Sequence, residues 1–576
     1  MSYFLKQTNP SNKGLYLQIY ESYYIPKVGK RNRSFVSLGY ASDLIAKGIE
    51  DPIRYARSLI DELNQNEANK SVTRIGDSSA SKNVGYFLLK AVLDSLDIDN
   101  ILNMMSASKK FKFKMSDFIR TLIYAQIANP GSKLKAIEKV IPNLYNSSSF
   151  SYDQILDGIE FIGANYEKFI ELFNNRINNK WPRNMDYTFF DCTNYYFEID
   201  IENEDRRKGP SKEGRHSPII GQALLLDANQ IPVGMMMYPG NQSEKPFLRR
   251  MIEDTKGRYD ITGKVIQVAD KGLNCARNIY SAVIEAHDGY IFSKSVHGKY
   301  LSKLEKKWIL LDNEDGVNQW VDVLDENGKL LYRYKECIDD FEYHCYLSED
   351  DEKETYFKVQ EKRVVTFNPS LAKKQREQIL KEVEKIKMAL SIKEVTKEEF
   401  GDALKYIQFE AKDEQGKKTK IKPKIIQEKI DEDLALAGYN LLVSSETNMS
   451  AREIYNAYHG LWRIEESFRI MKTYLEARPV FLQKKESIYG HFLICYLSLV
   501  VLRLLELKVF KDKLPISQIV EFIRQYTFTD SGHGFFVNSS SNNKALFTIK
   551  AQLGLFKLDY LFLKKRDLDL LFDLDF

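Results

Sequence analysis

Residues 187–199 read YTFFDCTNYYFEI, and this stretch decides the fold. Aromatic and small polar residues crowd a single acid, Asp191, which is the pattern of a strand that enters a core. Three more strand-like runs follow: IIGQALLLD (219–227), IPVGMMMYP (231–239) and KVIQVAD (264–270). Gly, Pro, Asn and Asp fill the breaks. Three successive strands joined by turns predict an antiparallel meander. A helix (273–286, LNCARNIYSAVIEA) and a strand (289–295, GYIFSKS) come next, so the later strands are expected to add in parallel. The prediction is a mixed sheet in a multi-domain α/β protein.

The flanks divide by composition. Residues 1–80 read as a β/α region, with strands over 14–40, a helix over 42–67 and a Ser/Asp/Gly-rich linker near 73–82. Residues 81–180 are helical by periodicity (84–96, 115–129, 151–162) and rich in lysine, which suits a DNA-binding module and a plain helical scaffold equally. The core, 181–296, is interrupted by 297–437, a β-rich insertion with a hairpin (319–336), a charged helix (370–390) and a lysine-rich ribbon (412–424). Residues 438–510 resume the core with YNLLVSSE (439–446) and a long helix (448–477). Residues 511–576 form a C-terminal region, read as a helical tail that either packs or dimerises.

Bulk numbers set limits. The 576 residues are 43% hydrophobic and 28% charged, a globular rather than a disordered composition. A net charge of +4 neither supports nor excludes nucleic acid, because a binder needs a basic face rather than a basic total. The five cysteines (192, 275, 337, 345 and 495) are odd in number and lack CxxC spacing, which argues against a disulfide framework and a structural zinc site. With no apolar N-terminal segment, a cytoplasmic protein is expected. The longest apolar run, 492–502, is too short for a bilayer and reads as a buried helix.

Three acids stand out of place. Asp191 lies inside a strand, where a charge is costly unless it is paired or metal-bound. Asp270 ends an apolar strand, where ligands of open α/β sheets gather. Glu465 borders an apolar stripe made by Leu461, Ile464, Phe468, Met471 and Leu475, and shares a face with Tyr458 and Lys472, seven residues to either side. Arg463 falls away from the stripe and is expected to face DNA or solvent. Magnesium is a hard ion that takes such oxygen ligands. Two ions about 3.5–4 Å apart activate an attacking oxygen and stabilise a leaving one.

Three blocks in order, FFDCTNYYFE, VADKGLNCARNI and YHGLWRIEESFR, resemble the insertion-sequence transposases of the DDE type. The branch is marked by Tyr-x2-Arg-x3-Glu-x6-Lys. Here Tyr458, Glu465 and Lys472 match, and Leu461 stands in the Arg slot. The resemblance implies a ribonuclease-H-like core with Asp191, Asp270 and Glu465 as catalytic metal ligands. It implies two Mg2+ ions (Mn2+ substituting) and cut-and-paste transposition of a bacterial element, in this branch often through a DNA hairpin. The partners implied are double-stranded DNA (terminal inverted repeats and target) and a second copy of the chain in the DNA complex, with no membrane. Tyr458, Lys472, Arg463 and Lys271 are the expected DNA contacts, and the basic loop 206–217 either grips DNA or is merely solvated. Another ribonuclease-H-like nuclease and an inactive DNA-binding descendant are the competing readings.

Overall fold

The computed structural model describes residues 2–10, 14–25, 29–70, 80–297, 301–311, 319–348, 350–391, 404–412, 418–531, 534–540 and 544–576. The chain divides into two units, and the larger comprises Asn83–Tyr526, Ser541–Asp559 and Asp569–Phe576. The smaller holds an antiparallel sheet of Ser2–Thr8, Tyr16–Ile25 and Gly29–Tyr40 with the helix Pro52–Lys70. Its first strand escaped the sequence reading. Most of the 73–82 linker and the middle of the 412–424 ribbon lie outside the described residues.

The larger unit is built on nine strands: β1 (Tyr187–Tyr196), β2 (Ile219–Leu226), β3 (Pro232–Pro239), β4 (Ile266–Ala269), β5 (Gly289–Lys294), β6 (Val321–Leu324), β7 (Leu330–Cys345), β8 (Thr355–Phe367) and β9 (Tyr439–Ser444). Their order across the sheet is β6-β7-β8-β9-β5-β4-β1-β2-β3. The meander β1-β2-β3 is antiparallel, and β4 and β5 add in parallel, as the sequence predicts. Every residue of β2 is buried, which is why its sequence is apolar throughout rather than alternating.

The 297–437 segment contributes to the central sheet. Three of its strands, β6, β7 and β8, do not form a sheet apart but lengthen the central one, β8 pairing with β9 from Lys362↔Ser444 to Phe367↔Tyr439. Their pairing satisfies backbone groups that β9 would otherwise leave open at an edge. The only other described strands of this segment, Ile407–Lys412 and Lys418–Ile425, make a separate ribbon.

Helices cover both sides. Met115–Ala128 is buried on all faces, which makes it scaffold: a helix that reads a DNA groove needs a free face. It packs with Tyr152–Ala164 against Lys485–Leu504, the helix that contains the apolar 492–502 run. Among the described residues no helix is long and apolar enough to cross a membrane. The C-terminal region is not wholly helical, since Thr527–Asp530, Phe535–Asn538 and Phe562–Lys564 are strands.

Candidate active site

The parallel register of β1 and β4 aligns Phe190 with Ala269, so the next residues, Asp191 and Asp270, sit side by side at one end of the sheet. Alternation along β1 puts Phe189, Asp191 and Tyr195 on one face. Two contacts fix what covers that face. A Cβ on Gly460 would meet the Phe189 ring at 2.5 Å, and the Tyr195 hydroxyl lies 3.8 Å from Met471 Sδ. The chain between Gly460 and Met471 carries Glu465, and so crosses the sheet over Asp191.

This segment is not one straight helix. Ala451–His459 ends at Gly460, Trp462–Arg469 begins after Leu461, and Ile470–Tyr474 widens into a π-turn. Gly460 lets the break approach Phe189, and no larger residue fits there. The stripe of Leu461, Ile464, Phe468, Met471 and Leu475 is buried as predicted. Glu465 is exposed beside it.

Asp270 is held by donors. Tyr458 Oη donates to its Oδ1 at 2.9 Å and Ser293 Oγ at 2.8 Å. Desolvation works against its charge. The Lys271 backbone N–H, Ser293 and Tyr458 outweigh that and keep the carboxyl below its ordinary range. Asp191 is the opposite case. Burial pushes it up to about 6, and the nearby Glu244 and Asp270 charges add to the rise. Lys212, 3.9 Å away, and the Cys192 N–H at 2.7 Å only partly counter this. The two carboxylates thus differ in proton affinity because one is desolvated and the other is hydrogen-bonded.

Lys212 and Lys472 supply positive charge at this edge. Lys212 pairs with Glu244 at 3.1 Å and donates to the Cys192 carbonyl. Burial, then the Lys212 charge, pulls the Lys472 ammonium below the ordinary lysine value. Lys271 is exposed next to Asp270.

Arg463 corrects the sequence reading. It is buried, not facing solvent, and donates to Asp512 Oδ2 at 2.9 Å, Glu466 Oε2 at 3.1 Å and Gln230 Oε1 at 3.0 Å. It ties the helix into the core, so no face is left for DNA. Sequence reasoning also missed Ser293, Glu244, Glu213 and Arg478. Lys212 and Glu213 lie in the basic loop 206–217, the one signal that pointed to them.

A family model described as the transposase DDE domain matches residues 185–501, more than half of the chain. No curated protein matches the sequence. Among solved structures, the chain is similar to the piggyBac transposase in its synaptic complex with hairpin DNA. The identity is 9% and the TM-score 0.35, over 86% of this chain and 85% of that one.

Proposed function

The chain belongs to the transposase DDE domain family, whose members cleave DNA and transfer strands, and from that premise we propose that Asp191, Asp270 and Glu465 are its catalytic carboxylates. One observation carries the reading: the β1–β4 register sets two acids abreast, beneath the segment that bears the third. The same order, an antiparallel meander followed by parallel strands, supports a ribonuclease-H-like core.

DDE transposases use divalent metal ions. The donor set here fits a hard ion, since it is carboxylate oxygen throughout. Asp191 fits as well, because burial without a full counter-charge leaves its carboxylate in want of a cation. Among the described residues no three His, Cys, Asp or Glu side chains already converge as a metal cage. Magnesium is commonly held by one or two carboxylates with water and substrate phosphate. Asp191 and Asp270 would hold the first ion and Glu465 would complete a pair. Bound there, Mg2+ or Mn2+ would supply Lewis acidity at the scissile phosphate.

The protein's own residues do the rest. Tyr458 and Ser293 keep Asp270 ionised and oriented through their hydroxyls. In this reading Lys472, Lys271 and Tyr458 are the contacts to phosphate oxygens of the bound duplex. The substrate is double-stranded DNA, the ends of the mobile element and its target, held by two copies of the chain in the cytoplasm.

The test is cleavage of a labelled duplex carrying the element's own flanking ends, in Mg2+ and in Ca2+. Nicking at the end in Mg2+, lost in Glu465→Ala with end-binding retained, is the expected result. The denaturing gel also separates a hairpin product from direct transfer. Wild-type cleavage by Glu465→Ala would remove Glu465 from the site. Binding without cutting in every metal would mark an inactive descendant.

A further inference from the structure

Glu213 sits between two cations. Lys472 Nζ is 3.0 Å from its Oε1, and Arg478 Nη1 donates to its Oε2. Neither cation depends on Glu213 for its place. Lys472 lies over the Tyr195 ring at 5.4 Å and Arg478 over the Tyr196 ring at 5.1 Å. Arg215 covers Tyr196 as well, at 4.5 Å. Lys472 and Arg478 meet at Glu213, at the strand end that follows Asp191, and Arg215 shares the Tyr196 ring with Arg478. Such a cluster repels itself unless an anion joins it.

The anion that joins it is carried by a loop rather than by a helix or strand. Glu213 lies in the connection between β1 and β2, which has no regular structure from 208 to 218. The connection is held to β1 by Asn194, whose Nδ2 donates to the Pro210 carbonyl at 3.1 Å and whose Oδ1 accepts from the Lys212 N–H at 3.2 Å, and by Lys212, which donates to the Cys192 carbonyl. The neighbouring Lys212 is held by Asp191 and Glu244. Adjacent loop residues of opposite sign thus occupy an acidic and a basic position of the same site. A carboxylate that presents one oxygen to an ammonium and the other to a guanidinium has the charge and reach of a phosphodiester's two free oxygens.

We propose that Lys472 and Arg478 form a backbone-phosphate site whose internal occupant is Glu213, so that the 206–217 loop closes the DNA-free enzyme and a duplex phosphate displaces it. The inference rests on the transposase reading of the site. It assigns Arg478 to DNA, and it makes the loop a barrier to unproductive binding, since each phosphate must compete with a tethered carboxylate.

The experiment measures binding of the full chain to a 30-bp duplex of arbitrary sequence by fluorescence anisotropy, without divalent ions, over a salt series. Glu213→Gln is expected to bind about tenfold tighter and to steepen the slope of log K against log salt by about one, as one more phosphate contact does. Adding Arg478→Gln is expected to abolish both gains. Glu213→Asp, one methylene short of spanning both cations, carries the same expectation at smaller size and serves if the Gln variant does not fold. Unchanged or weaker binding by both Glu213 variants, with unchanged slope, would show an ordinary structural ion pair and overturn the proposal. No binding by the wild type even at low salt would overturn the transposase reading along with it. Wild-type binding with inert Glu213 variants would overturn this inference alone.

Discussion

The Tyr458 hydroxyl donates to Asp270 Oδ1 at 2.9 Å, from a helix 188 residues away in sequence. Tyr458 therefore does more than offer a surface to DNA: it is one of three groups that keep Asp270 ionised. Tyr458→Phe keeps the ring and removes this bond. A hydrogen bond to a charged group contributes about 1.5–3 kcal/mol, so cleavage at neutral pH is expected to fall about tenfold or more. The loss should deepen as pH falls, because Asp270 then protonates at a higher pH than in the wild type. Equal loss at pH 6 and pH 8 would assign Tyr458 to DNA contact alone.

Asp191 sets a second pH dependence. Its carboxyl is raised from 3.8 to about 6 by burial, so the folded state holds a proton that the unfolded chain has released. Stability therefore declines as pH rises from about 4 to 6, by at most about 3 kcal/mol, and the deficit persists above pH 6. Cleavage runs the other way. It needs the carboxylate, so at limiting Mg2+ cleavage is expected to rise with pH, and saturating Mg2+ should move that rise to lower pH, because a bound cation favours the ionised form. Asp191→Asn should abolish cleavage while raising the melting temperature at pH 7.5 but not at pH 4. Mg2+ should raise the melting temperature of the wild type, by mass action, and leave this variant unmoved. A variant that melts lower than the wild type at pH 7.5 would refute the burial argument.

Much of this site could be read from residue types because its signals are local. Asp191 is visible as a charge among aromatics, and the stripe beside Glu465 follows from a spacing of three and four. What stayed hidden depends on partners far away in sequence. Arg463 looks free on a helical wheel, yet besides its neighbour Glu466 it is held by Asp512 and Gln230, 49 and 233 residues away. The break at Gly460 follows from the Phe189 ring beneath it. β7 alternates in part as a half-exposed strand should, and its residues do not reveal that β8 pairs with β9. Lysine content alone could not separate scaffold from DNA-binding helix in 81–180, where burial of Met115–Ala128 decides for scaffold in that helix.

Arg503 tests how firmly the Glu465 helix is held. It is fully buried at the end of Lys485–Leu504 and donates to Glu466 at 2.9 Å, to Glu506 at 2.6 Å, and to the Arg463 carbonyl and Ser467 Oγ at 3.0 Å each. Arg503→Met fills part of the volume but leaves Glu506 buried with less counter-charge. Breaking such a pair from one side costs about 3–5 kcal/mol. The urea midpoint should drop accordingly. Arg503→Met combined with Glu506→Gln should recover part of the loss, because the stranded charge is then gone. No recovery in the double variant would show that packing, not charge, governs this site.

The contact beneath the site depends on two glycines whose places no hydrophobic pattern marks. A Cβ on Gly163 would lie 1.7 Å from the Glu486 carbonyl oxygen, and one on Gly490 would lie 2.1 Å from the Ile159 carbonyl oxygen. The helices Tyr152–Ala164 and Lys485–Leu504 thus meet backbone to backbone at both positions. Neither contact is with the flexible end of a side chain, so relief requires the helices to separate. Overpacking costs about 1–3 kcal/mol even where side chains can yield, so Gly163→Ala and Gly490→Ala should each exceed that range. Gly257 offers the control, since its Cβ would meet nothing within 4 Å. Gly257→Ala, inside the helix Lys245–Arg258, should be neutral or slightly stabilising by helix propensity. Equal melting temperatures for all three alanine variants would mean that the two helices can part without cost, and that the tight crossing does not hold the core together.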